Sequence, residues 1–228
     1  MKSDKNEMKD FLLLNLSFII ACILILLLPF GLIGIKLFIL VLIYNLFVLL
    51  FSYWKEYSEW RNVWSFSLIL SIFQVFPDWF LSAQLNVLVF PEDGFLKIGT
   101  VSAYMAGLWV IPLFTILFIG LKINEKYTEY TSYTVVGVIS LIIFGVAELT
   151  IWSIGSWYAQ NVKTIFGHLA IYIIFPEILL GLVAFYGYKV IKDRNNIWMV
   201  PSSFLVMLVY LGAATFFYLI FETLLFNA

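Results

Sequence analysis

Residues 64–88 read WSFSLILSIFQVFPDWFLSAQLNVL, and this stretch decides the expected fold. It contains one charged residue, Asp78, and is otherwise mainly apolar. At about 1.5 Å of rise per residue, a helix of this length crosses a hydrocarbon layer of about 30 Å. An ionisable residue at membrane depth costs roughly 2.5–3.5 kcal/mol on insertion scales. Asp78 is therefore expected to have a partner or a functional role.

The composition of the whole chain predicts an all-α integral membrane protein. Of its 228 residues, 63% are hydrophobic and only 12% are charged, which leaves too little polar surface for a soluble domain of this length. Further apolar segments alternate with short polar linkers. We predict seven transmembrane helices in one domain covering residues 1–228. The predicted spans are 11–29, 35–53, 64–88, 99–121, 133–155, 166–188 and 199–226.

The basic residues fall mainly on one side of such a bundle. With seven spans, the N-terminus and the loops after spans two, four and six share a side. That side holds Lys2, Lys5, Lys9, Lys55, Arg61, Lys122, Lys126, Lys189, Lys192 and Arg194. The other side holds only Lys36, Lys97 and Lys163. Because cytoplasmic loops are enriched in Lys and Arg, we expect a cell-membrane protein with a cytoplasmic N-terminus and an external C-terminus.

Two short motifs in different spans are alike: Phe-Pro-Asp at 76–78 and Phe-Pro-Glu at 175–177. They would be equivalent if spans one to three were repeated, inverted, as spans four to six, with one helix added. A match of three residues also arises by chance, so both interpretations remain open. In mid-helix each proline would free the carbonyl four residues earlier, that of Phe73 or Tyr172, and help to shape a polar pocket.

Four carboxyl side chains are expected between the middle of the membrane and its outer face: Asp78, Glu148, Glu177 and Glu222. No Lys or Arg is expected at that depth. A buried carboxyl group without a cationic partner favours its protonated form, which can donate a proton. We therefore predict Asp78, Glu177 and Glu148 as catalytic residues. The alternative is that these acids only form hydrogen bonds between helices, and it applies best to Glu222.

Residues near these acids complete the predicted site. The predicted substrate-binding residues are Gln74, Trp79, Trp109, Trp152, Tyr172 and Glu222. Gln74 is one helical turn from Asp78, and Trp152 is one turn from Glu148. Aromatic ring faces can stabilise a cationic intermediate. Ordinary helix packing is the alternative for Trp109 and Trp152.

Several classes of site and partner are not expected. The single cysteine, Cys22, excludes a disulfide framework and a thiolate cluster. The single histidine, His168, argues against a histidine metal site, and neither a metal nor a cofactor is predicted. A net charge of −1 argues against nucleic-acid binding. The expected partners are the lipid bilayer and an isoprenoid or other lipid ligand; the oligomeric state is not predicted.

The Phe-Pro-acid motifs resemble those of integral membrane carotenoid cyclases and hydratases, and the chain is also similar to the membrane-bound terpenoid cyclases. In those families intramembrane carboxylic acids protonate an alkene or epoxide of a lipid-soluble polyene, a role that the resemblance implies for Asp78 and Glu177. The carotenoid cyclases carry paired acids after the proline, whereas this chain has single acids. Residues 77–112, with the runs PDWFL and AYMAGLWVIP, are similar to a family of uncharacterised bacterial and plant multi-pass membrane proteins.

These observations lead to one preferred function and two alternatives. The preferred function is a membrane-embedded, cofactor-free enzyme that acts on an isoprenoid or similar lipid by acid catalysis. Asp78 or Glu177 would donate the proton, and Glu148 would tune its partner or act as the base. A proton-coupled transporter would use the same acids to load and release a proton. A non-catalytic membrane protein would use them only to join helices.

Overall fold

The structure is a computed structural model that describes the backbone of residues 2–29 and 31–225 and the side chains of residues 6–29 and 31–225. Within this part of the chain, seven helical segments are long and apolar enough to cross a membrane. They are Asn6–Leu26, Ile33–Trp54, Ser58–Gln84, Met105–Asn124, Glu129–Ile154, Ile171–Ile191 and Asn196–Leu225. The number agrees with the seven predicted spans. Residue 226, where the last predicted span ends, lies outside the described residues.

Eight α-helices and six very short strands make up these segments and their connections. The helices are α1 Lys2–Leu26, α2 Ile33–Trp54, α3 Ser58–Trp79, α4 Met105–Leu108, α5 Val110–Asn124, α6 Glu129–Thr150, α7 Ile174–Ile191 and α8 Met199–Tyr218. The strands are β1 Leu88–Val89, β2 Lys97–Ile98, β3 Val101–Ser102, β4 Tyr158–Ala159, β5 Thr164–Ile165 and β6 Leu169–Ala170. Single turns of 3-10 or π-helix extend several helices: Phe80–Gln84, Ile151–Ile154, Ile171–Ile173, Asn196–Trp198 and Leu219–Leu225.

The outer surface of the bundle is apolar. On α1 alone, Leu12, Leu16, Ile19, Ile23 and Leu24 are each at least half exposed. A continuous apolar surface of this kind is unfavourable in water and favourable against lipid tails. The surface and the seven apolar helices together suggest a membrane protein.

Two predicted spans start too early and one ends too late. The predicted helical residues 85–88, 99–104 and 166–170 instead form strands and tight turns. Asn86, Gly99 and Phe166 have φ angles of 56°, 64° and 54°, in the left-handed region that ends a helix. β2 pairs with β3 and β5 pairs with β6 in two hairpins, and β1 pairs with β4 between them. Apolar composition alone does not distinguish such hairpins from helix, which explains the error.

The two ends of the bundle differ in structure. We call the end that carries β1–β6 the hairpin end; the backbone amide of Gly34 at the start of α2 also joins it, by donating to the Asp93 carbonyl at 2.9 Å. We call the opposite end, with the turns at 55–57, 125–128 and 192–195, the charged end. Helices α3 and α6 both run from the charged end to the hairpin end.

The structure contains an approximate two-fold repeat, but it is not the inverted repeat considered from the sequence. Asp78 precedes the first residue of β1 by ten positions, and Glu148 precedes the first residue of β4 by the same ten. β1 and β4 pair antiparallel in a symmetric register, with Leu88 opposite Ala159 and Val89 opposite Tyr158. Because α3 and α6 run in the same direction, the repeat is parallel, and Asp78 corresponds to Glu148.

The predicted equivalence of Asp78 and Glu177 is therefore wrong. Asp78 lies in the last turn of α3, whereas Glu177 lies in the first turn of α7. The structure nevertheless brings both to the hairpin end, because one helix ends there and the other begins there.

Candidate functional site

A small cavity at the hairpin end is lined by three carboxyl groups, those of Asp78 and Glu177, which are buried, and that of Glu148, which is half-buried. We call it the carboxyl cavity. Its volume of about 30 Å³ is enough for one or two water molecules. Asp78 and Glu177 are only 2% and 4% exposed. No Lys, Arg or His is among the described residues that line this cavity.

Asp78 is held by a tryptophan from the other side of the cavity. The Trp109 indole Nε1 donates a hydrogen bond of 2.9 Å to Asp78 Oδ2. Trp109 occupies the junction between α4 and α5, and its ring packs 5.7 Å from that of Phe144 and 6.1 Å from that of Tyr210. This packing fixes the indole and, through its N–H, one carboxyl oxygen of Asp78.

Glu148 is also bonded to a tryptophan, although one that does not correspond to Trp109 in the repeat. The Trp157 indole Nε1 donates a hydrogen bond of 2.8 Å to Glu148 Oε1. Trp157 stands immediately before β4, where the chain has turned back at Gly155, whose φ is 76°. Each of these two acids is thus bonded to an uncharged indole donor rather than to a cation.

Glu177 differs from the other two acids. Within the described part of the chain, no group donates a hydrogen bond to its carboxyl group, although the residue is 4% exposed. Its position follows from the start of α7: the 3-10 turn Ile171–Ile173 leads into the α-helix at Ile174, which brings Glu177 to the cavity wall. Its carboxyl group is therefore the one with hydrogen-bonding capacity left for a ligand or water.

The prolines before Asp78 and Glu177 have different effects. Pro77 lies inside α3, one residue before Asp78, as the sequence predicts. Pro176, by contrast, is the third residue of α7, where the amide N–H would have no helical partner in any case. The prediction that Pro176 interrupts a helix and frees the Tyr172 carbonyl is therefore wrong.

A second and larger cavity adjoins the first. Its volume is about 290 Å³, and it lies between α1, α2, α5 and α6. Most of its lining is apolar and includes Phe18, Cys22, Leu37, Ile111, Ile143 and Ala147. We call it the apolar cavity. Five residues line both cavities: Met105, Trp109, Glu148, Trp157 and Glu177. Two carboxyl groups and two indoles thus form the wall between a small polar space and a larger apolar one.

The other residues predicted from the sequence lie in different places. Tyr172 lines the carboxyl cavity. Gln74 is fully buried on α3 but lines neither cavity. Trp79 packs beside Phe76 at the outer surface, 5.8 Å between ring centroids.

Trp152 and Glu222 also lie outside the two cavities. Trp152 is 41% exposed and stacks on His168 at 3.9 Å, because α6 ends at Thr150 and the following 3-10 turn carries Trp152 away from the face of Glu148. Glu222 accepts two hydrogen bonds from the Lys163 backbone N–H, at 3.0 and 3.1 Å, and so fixes the loop before β5.

The sequence analysis missed two residues of the site, Trp157 and Tyr210. Trp157 reads as an interfacial aromatic residue, and helical spacing cannot relate it to Glu148 because a left-handed turn lies between them. Tyr210 on α8 lines the carboxyl cavity and is 2% exposed. No motif surrounds it in the sequence, and only the packing of α8 against α3 and α7 brings it to the cavity.

The three acids surround the carboxyl cavity without converging on one point. Within the described residues, no group of three or more His, Cys, Asp or Glu side chains has a geometry that could hold a metal ion. The chemistry that this arrangement supports is the binding and transfer of protons by carboxyl groups.

Comparisons with known proteins give one match, to a family. No curated protein and no solved structure matches the chain, so the resemblance to carotenoid and terpenoid cyclases stays a prediction. A family model described as "Domain of unknown function (DUF6989)" matches residues 75–221, a range that contains all three acids of the carboxyl cavity. Because this match covers more than half of the chain, the protein belongs to the DUF6989 family.

Proposed function

We propose that the protein is a membrane-embedded enzyme that protonates a carbon–carbon double bond or epoxide of an isoprenoid or similar lipid. The observation that carries the proposal is the shared wall of the two cavities. Glu148 and Glu177 border the apolar cavity, which suits a lipid-soluble molecule, and also the carboxyl cavity. A reacting group in the apolar cavity would therefore meet a carboxyl group.

The size and lining of the apolar cavity favour part of a lipid rather than a polar metabolite. About 290 Å³ is close to the lower end of the range for small-molecule sites. Ring and alkyl carbons from α1, α5 and α6 form most of the wall. The reacting end of an isoprenoid would fit there, with the rest of the chain among the bilayer lipids.

The absence of a cation from the lining favours acid catalysis. Burying an ionised carboxylate without a partner is costly, and burying several close together is more costly still. Binding protons is the cheapest way to remove that charge. The site would then hold at least one carboxylic acid that can donate a proton without a cofactor, beside a carboxylate that can accept one.

Glu177 is the best candidate for the acid and Glu148 for the base. In the first step the Glu177 carboxyl would transfer its proton to one alkene carbon, leaving a carbocation and a Glu177 carboxylate. The ring faces of Trp109 and Trp157 would stabilise that cation. In the second step the Glu148 carboxylate would remove a proton from an adjacent carbon, which gives an isomerised or cyclised alkene. A proton moving from Glu148 to Glu177 restores the site, and no oxidant or reductant is consumed.

Deuterium incorporation tests this function. The purified chain in lipid nanodiscs would be incubated in D₂O with squalene, geranylgeraniol or lycopene, and the lipids analysed by mass spectrometry. We expect carbon-bound deuterium in at least one lipid, and a loss of about 100-fold or more in Glu177→Gln. Glu222→Gln is the matched control, because Glu222 is a buried acid of the same end that lines neither cavity. Failure of wild-type protein to label any of the three, or full labelling by Glu177→Gln, would contradict the proposal.

A second candidate, a proton-coupled transporter, is favoured by a different observation. Buried polar side chains with no protein partner, including Gln74, continue along α3 from Asp78 towards the charged end. Such a row would suit an acid that exchanges protons with the far side of the membrane. Ligand-dependent proton uptake by vesicles, without chemical change of the ligand, would favour this candidate over the enzyme.

The same proposal includes an orientation, with the charged end in the cytoplasm and the hairpin end outside. The excess of Lys and Arg at the charged end supports it. A reporter that works only outside the cytoplasm should then be active when it is fused after Ala228. Cytoplasmic activity of that fusion would refute the orientation.

A further inference from the structure

Two rows of side chains line the apolar cavity from α1 and from α6. The row on α1 consists of Phe18, Cys22 and Leu26, and the row on α6 and the turn that extends it consists of Ile143, Ala147 and Ile151. Because residues four positions apart lie on one side of a helix, each row follows one side of its helix. At about 1.5 Å per residue, the row on α1 is about 12 Å long. Both rows lie in the half of the bundle nearer the hairpin end.

The apolar cavity is closed by helix packing on every side but one. Helix α1 packs along α2, α2 packs against α4 and α5, and α5 packs along α6. Within the described residues, no hydrogen bond, ion pair or ring contact joins α1 to α6, and the cavity is not fully enclosed. The open side therefore lies between the two rows. We call it the α1–α6 opening.

The surface on both sides of the α1–α6 opening is apolar. Ile19 and Ile23 on α1, and Ile142 and Val146 on α6, are each more than half exposed. Residues 11–26 of α1 contain no charged residue, and residues 133–151 of α6 contain only Glu148. Such a surface is favourable against lipid tails and unfavourable in water. In a bilayer the opening thus leads to hydrocarbon and not to water.

Helix α1 is held in place at both ends of the α1–α6 opening. Towards the charged end, the ring of Phe11 stacks on that of Phe118 of α5, with 4.4 Å between their centroids. Towards the hairpin end, Lys36 Nζ of α2 donates to the carbonyls of Leu26 and Leu28. A cation bonded to the last carbonyls stabilises the end of a helix. The part of α1 beside the cavity is therefore fixed next to α2 and away from α6.

We propose that the α1–α6 opening is the entrance through which an uncharged isoprenoid passes from the bilayer into the apolar cavity. This inference rests on the proposed function, and it narrows the substrate to hydrocarbons, alcohols and epoxides. Glu148 follows Ala147 of the opening and is half-buried, so it is the acid nearest to the entering molecule.

The charge of the site favours an uncharged molecule. No Lys or Arg is among the described residues that line either cavity, so a phosphate group would meet acids and no cation. It would also have to pass through hydrocarbon, where an unpaired charge is costly. An uncharged isoprenoid, by contrast, is dissolved in the layer to which the opening leads.

Cross-linking across the opening tests the route. Cys22 is the only cysteine, so Ala147→Cys gives one thiol on each side of the opening. This variant in nanodiscs would be loaded with tritiated geranylgeraniol, treated with bis-maleimide linkers of increasing length, and diluted into unlabelled geranylgeraniol. We expect the linked protein to release tritium at least about tenfold more slowly than the same variant before linking, because a closed entrance traps the ligand. Wild-type protein treated with the linkers is the control, since its single thiol cannot form a bridge within the chain.

Equal release before and after linking overturns the proposal, as does failure of every linker to join the two thiols or of the unlinked protein to bind geranylgeraniol. Geranylgeranyl diphosphate should not displace the tritiated alcohol, and displacement at equal concentration overturns the substrate class. Trapping of geranylgeraniol without deuterium incorporation from D₂O into any lipid supports the entrance and contradicts the proposed enzyme. Deuterium incorporation with unchanged release supports the enzyme and overturns the entrance.

Discussion

The two ends of the bundle bury the same kind of side chain in opposite ways. At the charged end the Lys122 ammonium group is within 3.0 Å of one carboxylate oxygen from each of three residues: Glu7, Glu59 and Glu125. Lys122 and Glu7 are 5% and 8% exposed. Around the carboxyl cavity of the hairpin end, Asp78 and Glu177 are buried and Glu148 is half-buried, and the partners of these acids are two indole N–H groups and no cation.

A further acid at the charged end, Asp10, also has a cationic partner. Asp10 Oδ2 lies 3.5 Å from Lys55 Nζ and accepts a hydrogen bond of 2.8 Å from the Tyr57 hydroxyl. Burial, and then the hydrogen bond to Asp10, raise the pKa of Tyr57 to about 12. Tyr57 therefore remains a donor to Asp10 at physiological pH.

The difference shows what each group of acids is suited to do. Carboxylates around a lysine are stabilised in their ionised form by a fixed positive charge, which ties the turns of the charged end together and leaves no proton to give away. Carboxyl groups that face only neutral donors favour the protonated form, whose proton can be transferred. The charged end is thus held together by ion pairs, whereas the acids of the carboxyl cavity form none within the described residues.

The largest effect should come from removing the cation of the charged end. Lys122→Met leaves three carboxylates close together without their partner, and we expect a loss of about 3 kcal/mol in the free energy of unfolding. Lys126→Met, an exposed lysine of the same end, is the control. Reversible unfolding in mixed detergent micelles measures both. A loss below about 1 kcal/mol for Lys122→Met is no more than a surface ion pair contributes. It would mean that the acids of the charged end do not depend on their cation, which contradicts the contrast with the hairpin end.

A smaller effect is expected when an indole donor is removed from the hairpin end. Trp157→Phe deletes the N–H that bonds Glu148 and should lower stability by about 1–2 kcal/mol. Trp152→Phe is the control, since its N–H bonds the Leu149 carbonyl on an exposed side chain, and it should change stability by less than about 0.5 kcal/mol. If the two variants are equally stable, the bond from Trp157 to Glu148 does not hold the cavity together.

The smallest effect should come from neutralising an acid of the hairpin end. Asp78→Asn keeps an oxygen that can accept from Trp109, and no cation loses its partner. We expect a cost of no more than about 1 kcal/mol. Asp78→Leu, which leaves the buried Trp109 N–H unpaired, should cost more, about 1–3 kcal/mol. If Asp78→Asn unfolds the protein, the acid has a structural role and the comparison fails at this point.

Much of the fold could be predicted from the sequence, because membrane spans are read from local composition. The number of spans follows from the apolar runs. The hairpins could not be predicted in this way, since Leu169–Ala170 is as compatible with the start of a helix, and only its pairing with β5 makes it a strand.

The site could be predicted only in part, for a similar reason. The rarity of acids at membrane depth pointed to Asp78, Glu148 and Glu177, and the structure brings these three around one cavity. Their tryptophan partners depend on tertiary structure. Helical spacing suggested Trp152 for Glu148, but α6 ends before it, and the chain turns back to supply Trp157 instead.

The central claim is that the apolar cavity is a site for a lipid-soluble ligand beside the acids. Native mass spectrometry of the purified chain, released from nanodiscs made with a single synthetic phospholipid, can measure a retained ligand. Wild-type protein and Glu177→Gln should both retain an isoprenoid-type lipid, because the substitution leaves the apolar wall intact. Ala147→Trp, which fills the apolar cavity from α6, should lose it. Retention of the same lipid by Ala147→Trp, or no isoprenoid-type lipid on wild-type protein, would contradict the account.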